Sequence, residues 1–524
     1  MGAGFTRRRF LKALGAGAAY LALVGGQGCA PRVRLLPSVS PKSPKSVWAF
    51  RSRPDLGPAA AKVTARARDT APGYVFLAIK EGAGENGPMI LDDNGQIVWF
   101  GKHPRARDFK MQYYRGRPVL TWWEGVVVEG HGEGEYVIFD DSYREVRRVR
   151  TGNGYTGDLH ELLITPENTA LLTAYTPETA DLSSIGGPED GPVWGGIVQE
   201  VDIETGEVLF EWRSLDHIGI EESYARFPPD NPGFRYDYFH INAIDVDHDD
   251  NLLICARNTW AVYKIDRKTG DVLWRLGGKK SDFEMGQGTR TAFQHDARRQ
   301  KDGTITIFDN GAHPNFLDQS RAIVIGLAED EMKATLLREY VSPDRIPATS
   351  QGNAQVLPDG NVFVGWGSAP FVSEFSGDGE LLMNARFPPD CESYRAFRFP
   401  WNGHPPDAPA VAVEHRHEGK VAIYASWNGA TEVESWEVVS GPGPDLLGPL
   451  VSVPREGFET AMLAQTYGPY VAVRAKDRSG ETLERVMDPR RECLLPDAGR
   501  GKRRQRSATP PKRWVASRNP SPTA

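Results

Sequence analysis

Cysteine is scarce in this chain: Cys29, Cys255, Cys391 and Cys493 are the only four in 524 residues. No CxxC pair or Cys/His spacing suggests a zinc framework, and four thiols are too few for a disulfide scaffold. Cys255, in the middle of LLICAR, reads as a small core residue. Long apolar runs are also missing. The stretch from Ala13 to Val24 is too short to span a membrane as an ordinary helix. Net positive charge is missing from the middle of the chain. Residues 1–46 carry eight Lys/Arg and no acid, and residues 485–524 carry eleven Lys/Arg against three acids, although the whole chain has a net charge of -7. The body between is therefore acidic, which argues against a nucleic-acid partner. An acidic body does not draw anions from a distance, so an anionic substrate needs local cations.

The two basic ends read as segments outside the folded body. Thr6-Arg7-Arg8-Arg9-Phe10-Leu11-Lys12 before an apolar stretch resembles a twin-arginine export signal. Residues 1–29 are accordingly expected to be that signal, with the export machinery as partner and a periplasmic or cell-envelope destination. Cys29, after Gly26-Gln27-Gly28, is a candidate site for a lipid anchor. Residues 30–74 read as a linker leading into the body, Pro- and Ser-rich over 30–50. Residues 486–524 are basic, rich in Pro and Ser, and expected to be disordered.

What the body has in abundance is repetition. HELLITPENTALLTAY from His160, HINAIDVDHDDNLLICAR from His240, HDARRQKDGTITIFDNG from His295 and GNAQVLPDGNVFVGWG from Gly352 each read as strand, tight polar turn, strand. Between them lies a second hairpin, as in QEVDIETGEVLFEW (199–212) and YKIDRKTGDVLWRL (263–276), with Thr-Gly turns that supply positive φ. Such hairpins begin near 90, 137, 199, 263, 324 and 373. Two alternating hairpins give four strands per unit, so residues 75–415 are expected to form a six-bladed β-propeller. Trp99, Trp212 and Trp274 recur at one position and read as packing between blades. Residues 416–485 change pattern and read as a small fibronectin-III/Ig-like β-sandwich. The fold class is all-β.

In a propeller the first strand of every blade faces the central axis. His160, His240 and His295 open or lie on three of these strands, so their imidazoles are expected to converge. Asn242 shares a strand face with His240. Arg257 ends the hairpin that His240 begins, Asn310 closes the next one, and Arg321 leads into the following strand. His240, His295, Asn310 and Arg321 are the catalytic candidates; Arg257, Asn242, His160 and Asn353 are the substrate-binding ones. Guanidinium binds a tetrahedral oxyanion through parallel bonds, and imidazole serves as nucleophile or acid. The bland readings are a bond from His160 to Glu161 and an inter-blade ion pair for Arg257. His217 follows an outer strand, and His248, His415 and His417 read as solvated. The aromatic loop 221–238 reads as a lid or wall for an aromatic substrate. Other functions stay open: three histidines could hold a transition metal in a non-catalytic binding propeller. The Asp-x-x-Thr-Gly hairpins are similar to those of quinone-dependent dehydrogenases.

FHINAID, ARNTWAVYKIDRKTGDVLWRLGG, QHDAR, FDNG, QGNAQVLPDGNVFVGWG and SWNGATEV together resemble the bacterial arylsulfate sulfotransferases, in the branch with a C-terminal β-sandwich. The resemblance covers roughly residues 75–485. It implies an exported six-bladed propeller that moves a sulfuryl group from a phenolic sulfate ester to a phenolic acceptor, through a sulfohistidine and without a nucleotide cofactor. It also implies that His240 and His295 are channel histidines, with Asn310 and Arg321 near the sulfate. Relatives carry the nucleophilic histidine on a later blade. The matching strand here reads Gln351-Gly352-Asn353-Ala354-Gln355, and no histidine occurs between His313 and His404.

Overall fold

The computed structural model describes residues 34–35 and 46–487, apart from 67–68, 229, 232, 313–315, 418–419 and 467. The export motif, Cys29, Cys493 and nearly all of the basic tail lie outside the described residues. The described part falls in one compact unit, and its regular structure is almost entirely strand. Its one α-helix is the four-residue Ser214–His217.

Each strand pair follows from the hairpin chemistry read in the sequence. At the turn of the 263–276 hairpin, an Asp266 Oδ1 lone pair accepts from the amides of Lys268 and Thr269, both at 2.8 Å. Gly270 then takes φ 81, which a β-carbon would disfavour. Such turns join strands into antiparallel four-stranded meanders. Ile241–Val246, Leu252–Ala256, Ala261–Ile265 and Val272–Gly277 form one sheet in sequence order. His295–Arg299, Ile305–Asp309, Arg321–Ala328 and Lys333–Val341 form another. A third runs Asn353–Val356, Val362–Gly365, Phe371–Phe375, Leu381–Arg386. Two more meanders begin at Ala106–Tyr114 and Gly157–Ile164, and they merge where Gly157 pairs with Gly134. A sixth meander takes its first strand from late in the chain: Glu392–Phe399 pairs with Tyr74–Glu81. The middle strands are buried on both faces, as in Leu252–Ala256 and Ile305–Asp309.

The first strands neighbour one another in a cycle: Ala106–Tyr114, Gly157–Ile164, Ile241–Val246, His295–Arg299, Asn353–Val356, Glu392–Phe399, and back to the first. Bulges interrupt several of them, with Asp108 and Asp296 at positive φ. Trp99 stacks on Tyr143, Trp212 stacks on His217 and donates to the Gly270 carbonyl of the next sheet at 3.0 Å, and Trp274 packs edge-on against Phe283.

Two further four-stranded sheets follow. One contains Ala410–His415, Lys420–Ser426 and Glu459–Gln465, and the other Ser435–Gly441, Gly448–Pro454, Tyr470–Lys476 and Thr482–Met487. Their apolar residues, including Val421, Ile423, Trp436, Val438, Met462 and Val473, form one shared core. The segment read as a linker takes part in the fold. Arg34–Leu35 pairs with Leu463 and Met462, Trp48 and Phe50 are buried, and Lys62–Arg66 edges a sheet. Apolar residues spaced among Pro and Ser do not reveal such long-range pairing.

Candidate functional site

Three imidazoles meet at the mouth of the ring of first strands. His160 lies on Gly157–Ile164. His240 immediately precedes Ile241–Val246, with its backbone at φ 58, a conformation costly for any residue but glycine. His131 comes from an unexpected direction. It starts a strand after a long hairpin whose two turn residues, Glu129 and Gly130, both have positive φ, as a two-residue type I′ turn requires. The ring centroids of His160 and His240 are 4.7 Å apart, and those of His131 and His240 5.4 Å. Tyr175 and Trp194 wall His131 at 4.1 and 4.7 Å, and Tyr394 lies 5.5 Å from His160. His131 and His160 are only 2% and 3% exposed.

Two carboxylates organise these rings. Asp158 Oδ2 lies 2.6 Å from His160 Nδ1 and also accepts from Thr173 Oγ1 at 3.0 Å, while Oδ1 accepts from the Gly132 amide at 2.6 Å. Burial alone would raise the Asp158 carboxyl, but the His160 and His131 imidazoles and these donors pull it down to about 2. An ionised Asp158 holds the proton of His160 on Nδ1 and leaves the Nε2 lone pair free. The expected partner Glu161 faces the other way, because successive strand residues alternate sides.

Asp237, from the loop before His240, hydrogen-bonds His240 Nδ1 and lies 3.3 Å from His131 Nε2. Both His131 nitrogens and Asp237 Oδ1 are buried without a hydrogen-bond partner. Burial lowers His240 to about 4, against the pull of Asp237. Burial also works to lower His131, but Asp237, Asp158 and Glu129 outweigh it and raise the group. Asp237 itself is driven well below the usual carboxylate range, its burial overcome by the two imidazoles. The donor atoms of His131, Asp237 and His240 all lie within 4.8 Å of one another, so among the described residues these are the ones able to hold a metal ion.

The other predicted residues divide into two groups. His295 is buried beside the cluster. Its Nδ1 meets Asn310 Oδ1 at 2.7 Å and its Nε2 accepts from the Gln351 amide at 3.2 Å. Burial, then the Arg257 cation, then His240 and His160 hold it well below the ordinary imidazole value. Arg257 lies over the Phe293 ring at 4.6 Å and donates to Asn258 Oδ1 at 2.8 Å. Among the described residues it has no ion pair, contrary to the bland expectation. The remaining three brace the scaffold. Arg321 has its guanidinium taken up by Asp309, Glu339 and the carbonyls of Gly288 and Arg290, at 2.6–3.1 Å. Asn242 ties Gln294 O to the Asp296 amide, and Asn353 ties both backbone groups of Ala396. Neighbouring first strands are thus stitched together, and neither amide is free for a ligand. His217 stacks on Trp212 at 5.2 Å, away from the cluster.

Comparison with known families matches the Arylsulfotransferase (ASST) family over residues 110–388, more than half of the chain. The chain belongs to the arylsulfotransferase family. No curated protein matches it. Among solved structures, a protein of unknown function from Bacteroides caccae is 12% identical, with TM-score 0.38 over 62% of this chain and 98% of that one. The extracellular domain of a hybrid two-component system protein from B. thetaiotaomicron is 9% identical, with TM-score 0.35 over 85% of this chain and 57% of that one. Virginiamycin B lyase from Staphylococcus aureus is 10% identical, with TM-score 0.28 over 70% of this chain and 97% of that one.

In this family member the histidine cluster rests on a floor of six charges, five of them buried and Arg298 partly so. Lys110 pairs with Asp108 at 2.7 Å and Glu161 at 2.6 Å. Arg395 reaches Asp108, Glu161 and Asp296 at 3.0–3.2 Å, and Arg298 pairs with Asp296 and Glu161. Beyond the floor opens a cavity of about 570 Å³, lined by Gln112, Asp245, Gln300, Gln355 and Phe397 among others. Sequence reasoning missed His131, Asp237 and the floor. His131 belongs to no repeat, and Asp237 lies in a loop that read only as aromatic. The Asp-x-His spacing of Asp158 and His160 was the one usable signal.

Proposed function

We propose that this arylsulfotransferase moves a sulfuryl group from an aryl sulfate ester to a phenolic acceptor, through His160. The observation that carries this reading is the convergence of three buried imidazoles, one of which has its Nδ1 held by an ionised carboxylate and its Nε2 free. In the first half-reaction Nε2 attacks sulfur, the bond from sulfur to the aryl oxygen breaks, and the phenolate leaves. In the second the acceptor oxygen attacks sulfur, the nitrogen–sulfur bond breaks, and the acceptor proton passes to solvent or to the departing phenolate. Asp158 balances the positive charge of the sulfated ring. Arg257, a cation with no carboxylate partner among the described residues, donates to the sulfuryl oxygens. His295, held by Asn310, lines the same site. Relatives use a histidine on the strand that here carries Asn353, and His160 takes its place. Tyr175, Tyr394 and Trp194 offer walls for aromatic rings.

The scaffold in this reading is a six-bladed propeller followed by a β-sandwich. The cycle of first strands, and the pairing of Glu392–Phe399 with Tyr74–Glu81 as the closing seam, support it. Export by the twin-arginine route and lipid attachment at Cys29 belong to the same proposal. The test is incubation with an aryl sulfate that releases a coloured phenol, with and without acceptor. With donor alone the intact protein gains the mass of one sulfuryl group. His160→Ala loses that adduct and on the order of 10²-fold or more in turnover. A full adduct in His160→Ala would refute the assignment.

A further inference from the structure

We infer that His131, Asp237 and His240 form a binding site for one divalent transition-metal ion of the zinc class. Two imidazoles and a carboxylate are the ligand set such ions favour, whereas calcium and magnesium prefer oxygen alone. The geometry is close to what an ion needs. Tetrahedral coordination at about 2.0–2.2 Å sets ligand atoms roughly 3.3–3.5 Å apart, and here the three donor atoms lie within 4.8 Å of one another. Small rotations about the side-chain bonds complete the site.

The independent observation is the hydrogen-bond deficit. His131 is 2% exposed, yet neither ring nitrogen has a hydrogen-bond partner, and Asp237 Oδ1 is buried without one as well. Buried polar atoms are nearly always satisfied, so orphans on two neighbouring side chains indicate a group that binds there. The local charge favours a cation, because the Asp237 carboxylate sits between the two rings, 3.3 Å from His131 Nε2 and against His240 Nδ1. The His131 ring is already fixed by Tyr175 and Trp194 at 4.1 and 4.7 Å, so little ordering is left to be done on binding.

Three protein ligands leave one coordination position open. The His240 ring lies 4.7 Å from that of His160, whose Nε2 has no hydrogen bond among the described residues. A sulfuryl oxygen on the ion would place its sulfur beside that nitrogen, and the ion would draw electron density from sulfur as a Lewis acid. This catalytic role rests on the sulfuryl-transfer reading; the ion site does not.

The experiment is therefore done without substrate. The purified full chain is stripped with chelator and titrated calorimetrically with Zn²⁺, and separately with Co²⁺ while the visible spectrum is recorded. One equivalent of each binds, and cobalt develops the ligand-field bands of a low-coordinate site. His131→Ala and Asp237→Asn each weaken Zn²⁺ binding at least about 100-fold, while His217→Ala binds as the native chain does. Should His131→Ala fail to fold, His131→Gln carries the same expectation, with circular dichroism to verify the fold. A stripped chain that takes up no equivalent, or Asp237→Asn binding like the native chain, would overturn the site. Zn²⁺ uptake in a chain without transferase activity upholds the site and counts against the transfer reading alone.

Discussion

His160 and Glu161 are neighbours on one strand, and they serve opposite chemistries. The same split recurs at His295 and Asp296 and at Tyr394 and Arg395. The first member of each pair belongs to the histidine site and the second to the charged floor. On the floor every charge has an opposite charge beside it: Arg395, fully buried, meets three carboxylates and donates to the Asn242 carbonyl, although its Nε makes no hydrogen bond. In the histidine site the accounting is left open among the described residues, with no hydrogen bond at His160 Nε2, orphaned nitrogens on His131 and no ion pair at Arg257. Complete pairing makes buried charge tolerable and inert. Incomplete pairing leaves groups that gain by binding something else. The alternation of a β-strand puts the two regimes side by side on the same three strands.

That comparison breaks most visibly at Arg395. Replacing it by Leu leaves Asp108, Glu161 and Asp296 short of cation in a dry interior, a change that typically costs about 3–5 kcal/mol. Urea unfolding should register that loss. A cost below about 1 kcal/mol would mean that Lys110 and Arg298 suffice, and that the floor is not a single network.

A smaller effect is expected on the other side. Asp158→Asn keeps the shape but removes the charge that holds the His160 proton on Nδ1. Turnover of an aryl sulfate should fall by roughly 10- to 100-fold, with the unfolding midpoint little changed. Asp158 also accepts from the Gly132 amide, so the double variant with His160→Ala separates the two roles. If Asp158→Asn lowers turnover equally in the presence and absence of His160, the carboxylate acts through the backbone and not through the ring.

The meander was legible in the sequence because turn residues and strand periods are local. Asp266 and Gly270 announce their hairpin wherever the chain goes. His160 and His240 were legible because they recur at one position of the repeat. The merged sheet around Gly134 and Gly157, the edge strand at Arg34, and the donation of Glu392–Phe399 to a sheet begun near Tyr74 depend on distant partners. Nothing within a window of the sequence reports them. His131 and Asp237 were hidden for a similar reason, since one sits at a hairpin end outside the repeat and the other in a loop. Arg321 read as an anion clamp because a guanidinium near a site looks available. Asp309 and Glu339, its partners, become its neighbours only when the strands pair.

The smallest expected effect concerns Asp245, beyond the floor. It lies on the strand that follows His240 and lines the large cavity, and among the described residues it has no ion-pair partner. It accepts the Arg299 amide at 2.7 Å. Burial raises its carboxyl to about 6, the more distant Arg298 cation opposing and the Glu161 carboxylate assisting. Its value in the folded chain therefore lies above that of an unfolded aspartate, near 3.9. The fold favours the protonated form. That preference is fully present below about pH 4, and it is lost as pH rises through 6. Above that the chain carries a charged, poorly paired carboxylate. Asp245→Asn should leave stability unchanged near pH 4 and raise it by about 1–2 kcal/mol above pH 7, after discounting for partial exposure. Urea unfolding at pH 4.5 and 7.5 measures the difference. An equal effect at both values would mean that Asp245 reaches solvent or a cation when charged, and that the unanswered groups of this molecule are confined to the histidine side.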